Sequence, residues 1–156
     1  MSPTVILQSV LKFVKMAATG IEEMGKGCVM IFVGIAKAFC LTNEQQYDTI
    51  GQFWDEMAEL YGLENLQGVG YEWKDRSIYY AIGLKNGCIK GHNLRLELPD
   101  DGWVVARGKT ENLKQIYDEI YKDGVLQYEI ETFDENGNCE ISYYRKNTNQ
   151  KQIAKR

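Results

Sequence analysis

The chain contains itself twice. Displaced by 63 residues, Phe53-Trp54-Asp55-Glu56-Met57 falls on Ile116-Tyr117-Asp118-Glu119-Ile120, and Ile78 falls on Ile141. One further residue of displacement sets Tyr79-Tyr80 on Tyr143-Tyr144. Two matched segments in the same order at almost the same spacing mark a duplicated half-domain. Since 156 residues is the length of one ordinary domain, each copy is too small to bury its own apolar faces and the two must fold as one unit.

Each half reads the same way. Ile50, Phe53, Trp54, Met57 and Tyr61 recur at helical spacing, with Thr42 and Gln45 placed as a capping box and Gly62 as the stop. In the second half Leu113, Ile116, Tyr117, Ile120 and Tyr121 repeat the stripe, with Thr110 as N-cap and Gly124 as the stop. Trp54 and Tyr117, on these stripes, are read as core. A short apolar strand precedes each helix, at 31–39 and 103–107. A hairpin follows each. Val69, Tyr71 and Trp73 alternate with glycine and acid, Lys74-Asp75-Arg76 turns, and 77–84 returns. Residues 128–133, the turn Asp134-Glu135-Asn136-Gly137 and 139–145 build the equivalent hairpin. Residues 85–100, rich in Gly, Asn and Lys, are read as the link. The predicted fold class is α+β: duplicated strand-helix-strand-strand modules with pseudo-twofold symmetry around a central ligand groove, because clefts between units are where small-molecule sites tend to lie.

Composition narrows the function classes. A net charge of −4 and a pI near 5 lack the positive field behind most nucleic-acid affinity, so direct nucleic-acid binding is not expected. Residues 145–156 hold five basic side chains and no acid, read as a solvated tail, which leaves 13 basic against 22 acidic side chains, a net of −9, on residues 1–144. Cys28, Cys40, Cys88 and Cys139 show no CxxC and no Cys/His pairing, and the one histidine, His92, lies in a Gly/Asn-rich turn, so no metal and no cofactor are expected. With no cleavable signal sequence, the thiols are read as reduced and the chain as cytoplasmic. The apolar run 28–41 is too short to cross a membrane. An amphipathic stripe at 5–18 predicts an N-terminal helix packing on its own domain or on a second copy. The domain reading is therefore 1–27, a helical extension; 28–147, the binding domain; and 148–156, a basic tail.

The last strand carries the candidate chemistry. Its alternation puts Cys139, Ile141 and Tyr143 on one face and Glu140, Ser142 and Tyr144 on the other. A mid-strand carboxylate beside an aromatic ring suits a cation, since Glu supplies charge and ring faces attract it by about 0.5–2 kcal/mol each. Ten tyrosines and three tryptophans exceed what a small core buries with every polar tip satisfied. Tyr71, Trp73, Tyr80, Trp103 and Tyr144 are accordingly candidates to line a pocket with Glu140.

Taken in order, Gly51-Gln52-Phe53-Trp54-Asp55-Glu56, Gly70-Tyr71, Tyr80-Ala81-Ile82-Gly83, Leu98-Pro99-Asp100-Asp101-Gly102-Trp103, residues 113–121 and Cys139-Glu140-Ile141-Ser142-Tyr143 resemble the GyrI-like effector-binding domain, over about residues 28–147. That domain is the ligand-sensing half of AraC-type and MerR-type bacterial transcription regulators and also stands alone. The resemblance implies a groove accepting varied aromatic or cationic compounds, with the family's acidic contact falling on Glu140 and its Tyr-x-x-Gly tyrosine on Tyr80. The proline usual in the family's last strand is replaced here by Tyr144 or its neighbour. Twenty-seven preceding residues leave no room for a helix-turn-helix domain, so the expectation is a stand-alone sensing or sequestering protein. Two alternatives accompany it: a hydrolase of small electrophiles with Glu140 as general base, and a gyrase-inhibitor-like protein-binding domain. The partner expectations are a small aromatic or cationic ligand, with room for a homodimer and for a separate DNA-binding or topoisomerase partner.

Overall fold

Apolar side chains at period two make the strands and at period 3.6 the helices, and the computed structural model, which describes residues 29–42 and 45–145, places them in one sheet with two helices on one face. The N-terminal helix expected within 1–27, Cys28 and the tail 148–156 lie outside the described residues. The elements run β1 (Val29–Cys40), α1 (Gln45–Tyr61), β2 (Leu66–Lys74), β3 (Ser77–Leu84), β4 (Leu94–Pro99), β5 (Val104–Lys109), α2 (Leu113–Tyr121), β6 (Leu126–Phe133) and β7 (Asn138–Arg145). All seven strands join a single antiparallel sheet curled into a half-barrel, in the order β4-β1-β3-β2-β6-β7-β5. β2 and β6 are the seam, pairing Gly68↔Glu131, Val69↔Ile130, Gly70↔Glu129 and Tyr71↔Tyr128. Among the described residues no helix is long and apolar enough to cross a membrane.

The stripe of α1 buries Phe53, Trp54 and Met57 against Leu66, Tyr80, Ile82 and Ile89. That of α2 buries Tyr117 and Ile120 against Leu126 and Ile141. The opposite face of the sheet carries a separate cluster, with Met30 and Phe32 from β1, Val69 and Tyr71 from β2, Leu98, Trp103 and Ile130. α1 stops where expected: Gly62 adopts φ +87 and its N–H bonds the Ala58 carbonyl at 2.8 Å.

Three details correct the sequence reading. Residues 85–100 are more than a link, because Leu94, Leu96 and Leu98 alternate with Arg95 and Glu97 and form β4. β4 pairs with the first half of β1 (Val29↔Pro99 to Gly34↔Leu94), while β3 takes the second half (Ile35↔Ile82 to Cys40↔Ser77). At the changeover the Asn93 amide stands in for a strand, accepting from Ala36 N at 2.7 Å and donating to Ala36 O at 3.2 Å. Thr110 does not cap α2; it opens a one-turn 3-10 segment, Thr110–Asn112, and its hydroxyl is buried without a partner. Arg145 is not part of a solvated tail, since its guanidinium donates to the Ile120 and Gly124 carbonyls and closes the C-terminal end of α2.

Strand period alone would set Trp73 on the face of Val69 and Tyr71. Glu72 instead has φ +51, and the register with β3 shifts between Tyr71 and Lys74. This bulge inserts one residue and turns Trp73 to the helix side, beside Tyr117 and Ile120.

Candidate functional site

Between α1 and α2, over the β2–β6 seam, lies a cavity of about 1210 Å³. Its walls are aromatic: Tyr47 and Trp54 from α1, Tyr117 and Tyr121 from α2, Trp73 from β2 and Phe133 from β6. Trp54 and Phe133 meet edge to face at 4.8 Å, Tyr117 and Tyr121 stack at 5.4 Å, and the Trp73 indole N–H donates to Tyr121. Acids line it from α1 (Asp48, Asp55), the turn before α2 (Glu111), β6 (Glu129, Glu131) and the β6–β7 turn (Asp134, Glu135). Against these seven stands one basic lining residue among those described, Lys114. The enclosed field is negative, the condition for attracting a cation.

The floor is a hydrogen-bonded chain. Trp54 Nε1 donates to Tyr80 Oη at 2.8 Å, Tyr80 Oη donates to Glu131 Oε1, and Tyr117 Oη donates to Glu131 Oε2 at 2.6 Å. Tyr80 is fully buried and Glu131 is 4% exposed. Burial holds both phenols well above their ordinary pKa, with the nearby glutamates adding to the effect, so both stay donors. For Glu131 burial pushes the pKa up, while the bonds from Tyr117 and Tyr80 oppose that. A carboxylate receiving two donated protons is stabilised in its charged form.

Glu129, two residues earlier on the same face of β6, is also 4% exposed, but its Oε2 has no hydrogen-bond partner. Burial first and the charge of Glu131 second raise its pKa well above the ordinary carboxylate value, against a smaller opposing effect of Tyr117. Two like charges about 7 Å apart along one strand do not both ionise easily out of water. Burial therefore favours keeping a proton on the pair, and the bonds that Tyr80 and Tyr117 donate to Glu131 favour its charge over that of Glu129.

Two glycines make room for this floor. A Cβ at Gly68 would lie 2.1 Å from Tyr80 Oη and 2.7 Å from Trp54 Cζ2, and one at Gly70 would lie 2.7 Å from Glu129 Oε1. The seam strand β2 is thinned to bare backbone where the acids cross it.

Of the six residues singled out in the sequence, the structure places Tyr80 and Trp73 on this cavity. Tyr71, Trp103 and Tyr144 stand on the opposite face, where Trp103 lies 5.7 Å from Tyr144 and donates its indole N–H to Pro99 O at 2.8 Å. Glu140 lines a separate recess of about 590 Å³ with Lys85 and Arg107. It is half-buried with Oε1 unpartnered; burial raises its pKa, and Arg107 and then Lys85 oppose the rise. Glu140 and the cavity aromatics are thus not brought together.

Neither protein-family models nor curated proteins match the chain. A solved structure does: SAV2435 bound to tetraphenylphosphonium, with a TM-score of 0.53 at 11% identity, covering 78% of this chain and 92% of that one. At that identity the likeness is one of fold.

Glu129 and Glu131 escaped the sequence reading. In Leu126-Gln127-Tyr128-Glu129-Ile130-Glu131 they occupy the polar phase of an alternating strand, which normally faces water. The usable signal sits on the neighbouring strand, where Gly68 and Gly70, two apart, vacate the same face. Among the described residues no group of three or more His, Cys, Asp or Glu side chains is arranged to hold a metal ion.

Proposed function

We propose that residues 28–147 form a small-molecule binding domain of effector-sensing or sequestering type, which takes a lipophilic aromatic cation between α1 and α2. The observation that carries this reading is an acid set into an aromatic cavity: Glu131, oriented by the bonds that Tyr80 and Tyr117 donate to it at the floor. A cation entering there exchanges water for ring faces and meets a carboxylate whose orientation is already fixed, so little ordering cost remains at binding. The likeness of fold to SAV2435, a protein solved with an aromatic phosphonium ion, supports the same class of ligand.

The groove fits a duplicated pair of modules about a pseudo-twofold axis. Strand order reads β1-β3-β2 on one side of the seam and, in mirrored order, β6-β7-β5 on the other. An axis relating residue i to residue i + 63 must pair such equivalents across an antiparallel seam, and Gly68 pairs with Glu131. Trp54 and Tyr117, equivalent at the same displacement, both reach the floor. Glu131 is assigned as counter-charge and Tyr80 as its positioning residue, with Trp73 as a wall contact.

Titration with tetraphenylphosphonium tests the reading, because Trp54 and Trp73 on the cavity report occupancy by quenching. Saturable quenching is expected, with Glu131→Gln weakening binding at least about tenfold through loss of a buried charge partner. No saturable response from the native protein, or equal affinity in Glu131→Gln, would sink it.

A further inference from the structure

Resting on that reading, we propose that Glu129 is a proton-exchange site: the empty cavity carries a protonated Glu129 beside an ionised Glu131, and an aromatic dication with N–H donors at both ends displaces the Glu129 proton and takes its place. The geometry that points to this is an asymmetry within one pair. Both carboxyls face the cavity from β6 and both are 4% exposed, yet each oxygen of Glu131 accepts from a phenol while Glu129, approached by Tyr117 alone, has Oε2 without a partner. A buried acceptor without a donor is costly and is normally completed by something else. A phosphonium has no hydrogen to offer it. An amidinium, guanidinium or protonated amine does.

The surroundings fit that assignment on every side. Glu131 faces Glu129 from its own strand, Tyr143 from β7 as its register partner, Tyr117 and Tyr121 from α2, and Tyr80 from β3. β2 offers only Gly70 at that register. From α1 come Tyr47, Asp48 and Asp55, and Lys114 of α2 is the basic group on the cavity wall. The phenols are held protonated by burial. Glu129, the buried carboxyl with an oxygen left unpartnered, is therefore placed to release a proton, and the rise in pKa that burial and Glu131 impose leaves it one to release. The cavity, at about 1210 Å³, exceeds the roughly 300–1,000 Å³ usual for one drug-sized ligand, so its volume admits a ligand with two cationic heads. The exchange balances: the Glu129 carboxyl loses H⁺ to bulk water, its charge becomes −1, and the second positive head of the ligand neutralises it.

Calorimetric titration of the full chain at neutral pH, repeated in buffers of differing ionisation enthalpy, counts the protons released. The probes are tetraphenylphosphonium and an aromatic diamidine, both of fixed charge. The expected result is about one proton released per diamidine, with a smaller, sub-stoichiometric release for tetraphenylphosphonium. In Glu129→Gln, which keeps shape and neutrality, diamidine should bind about 10- to 100-fold more weakly and without proton release. Diamidine binding to the native protein with no release, or equal release in the variant, overturns the exchange while leaving the phosphonium result standing. Binding of neither probe overturns the cation-cavity reading, and the exchange with it.

Discussion

Tyr80 on β3 reaches over the intervening strand β2 to donate its phenolic proton to Glu131 on β6. Two inter-strand steps separate them, about 9.6 Å of sheet, and the span is open because β2 contributes only Gly68 beneath the ring tip.

Closing that gap should be damaging. Gly68→Ala puts a methyl 2.1 Å from the Tyr80 oxygen, so the phenol must move or the seam must part. The expected loss is about 1–3 kcal/mol, as for other overpacked cores, read by urea unfolding. Gly51→Ala is the control: its Cβ meets nothing within 4 Å and it lies within α1, so a gain of about 1 kcal/mol is expected.

Tyr80→Phe removes a donor from Glu131 and the acceptor of Trp54 Nε1 in one step. Leaving those groups unpaired in a buried place should cost about 1–3 kcal/mol. Titration of Glu131 by carboxyl NMR should move upward, since one of the two bonds that favour its charge is gone. An unchanged titration would show that the charge is held by something else.

Stability should fall as pH rises through the range in which Glu129 resists ionisation. Its pKa is raised in the folded protein, so the folded state binds more protons than the unfolded one between the ordinary 4.5 and the raised value. Stability from this group is complete below 4.5 and declines above it, by up to about 1.4 kcal/mol per pH unit. Urea unfolding from pH 5 to 9 should show a decline that Glu129→Gln makes shallower, with Glu131 and Glu140 supplying the remainder, leaving the variant more stable than the native chain at the alkaline end. Asp134 acts in the opposite sense: bonds from Asn138 and Asn136 lower its pKa, and its contribution is lost as pH falls below the ordinary 3.8.

Arg145→Ala should loosen the cavity from a distance. The guanidinium holds the Ile120 and Gly124 carbonyls, and with them the end of the helix that carries Tyr117 and Tyr121. A loss of about 1 kcal/mol is expected, together with faster amide exchange in residues 119–124.

What could be read from the sequence follows the physics of each element. The α1 stripe was legible because Ile50, Phe53, Trp54, Met57 and Tyr61 repeat a period that only a helix satisfies. β4 is masked although Leu94, Leu96 and Leu98 alternate, because the glycines and asparagines before it outweigh a short pattern. The facing of Trp73 was not legible at all: one residue in the left-handed region, Glu72, reverses the phase after it. The buried acids were hidden for a related reason. Alternation shows that Glu129 and Glu131 share a face, but whether that face meets water depends on how α1 and α2 pack over it.

Two identical half-chains meeting in the register Gly68↔Glu131 would have to carry the same residue at both positions. Either both would be glycine, and the floor would lack the carboxylate that Tyr80 and Tyr117 hold, or both would be glutamate, crowding a spot with room for one. A single polypeptide is free of that constraint, so Gly68 can vacate the space that Glu131 fills.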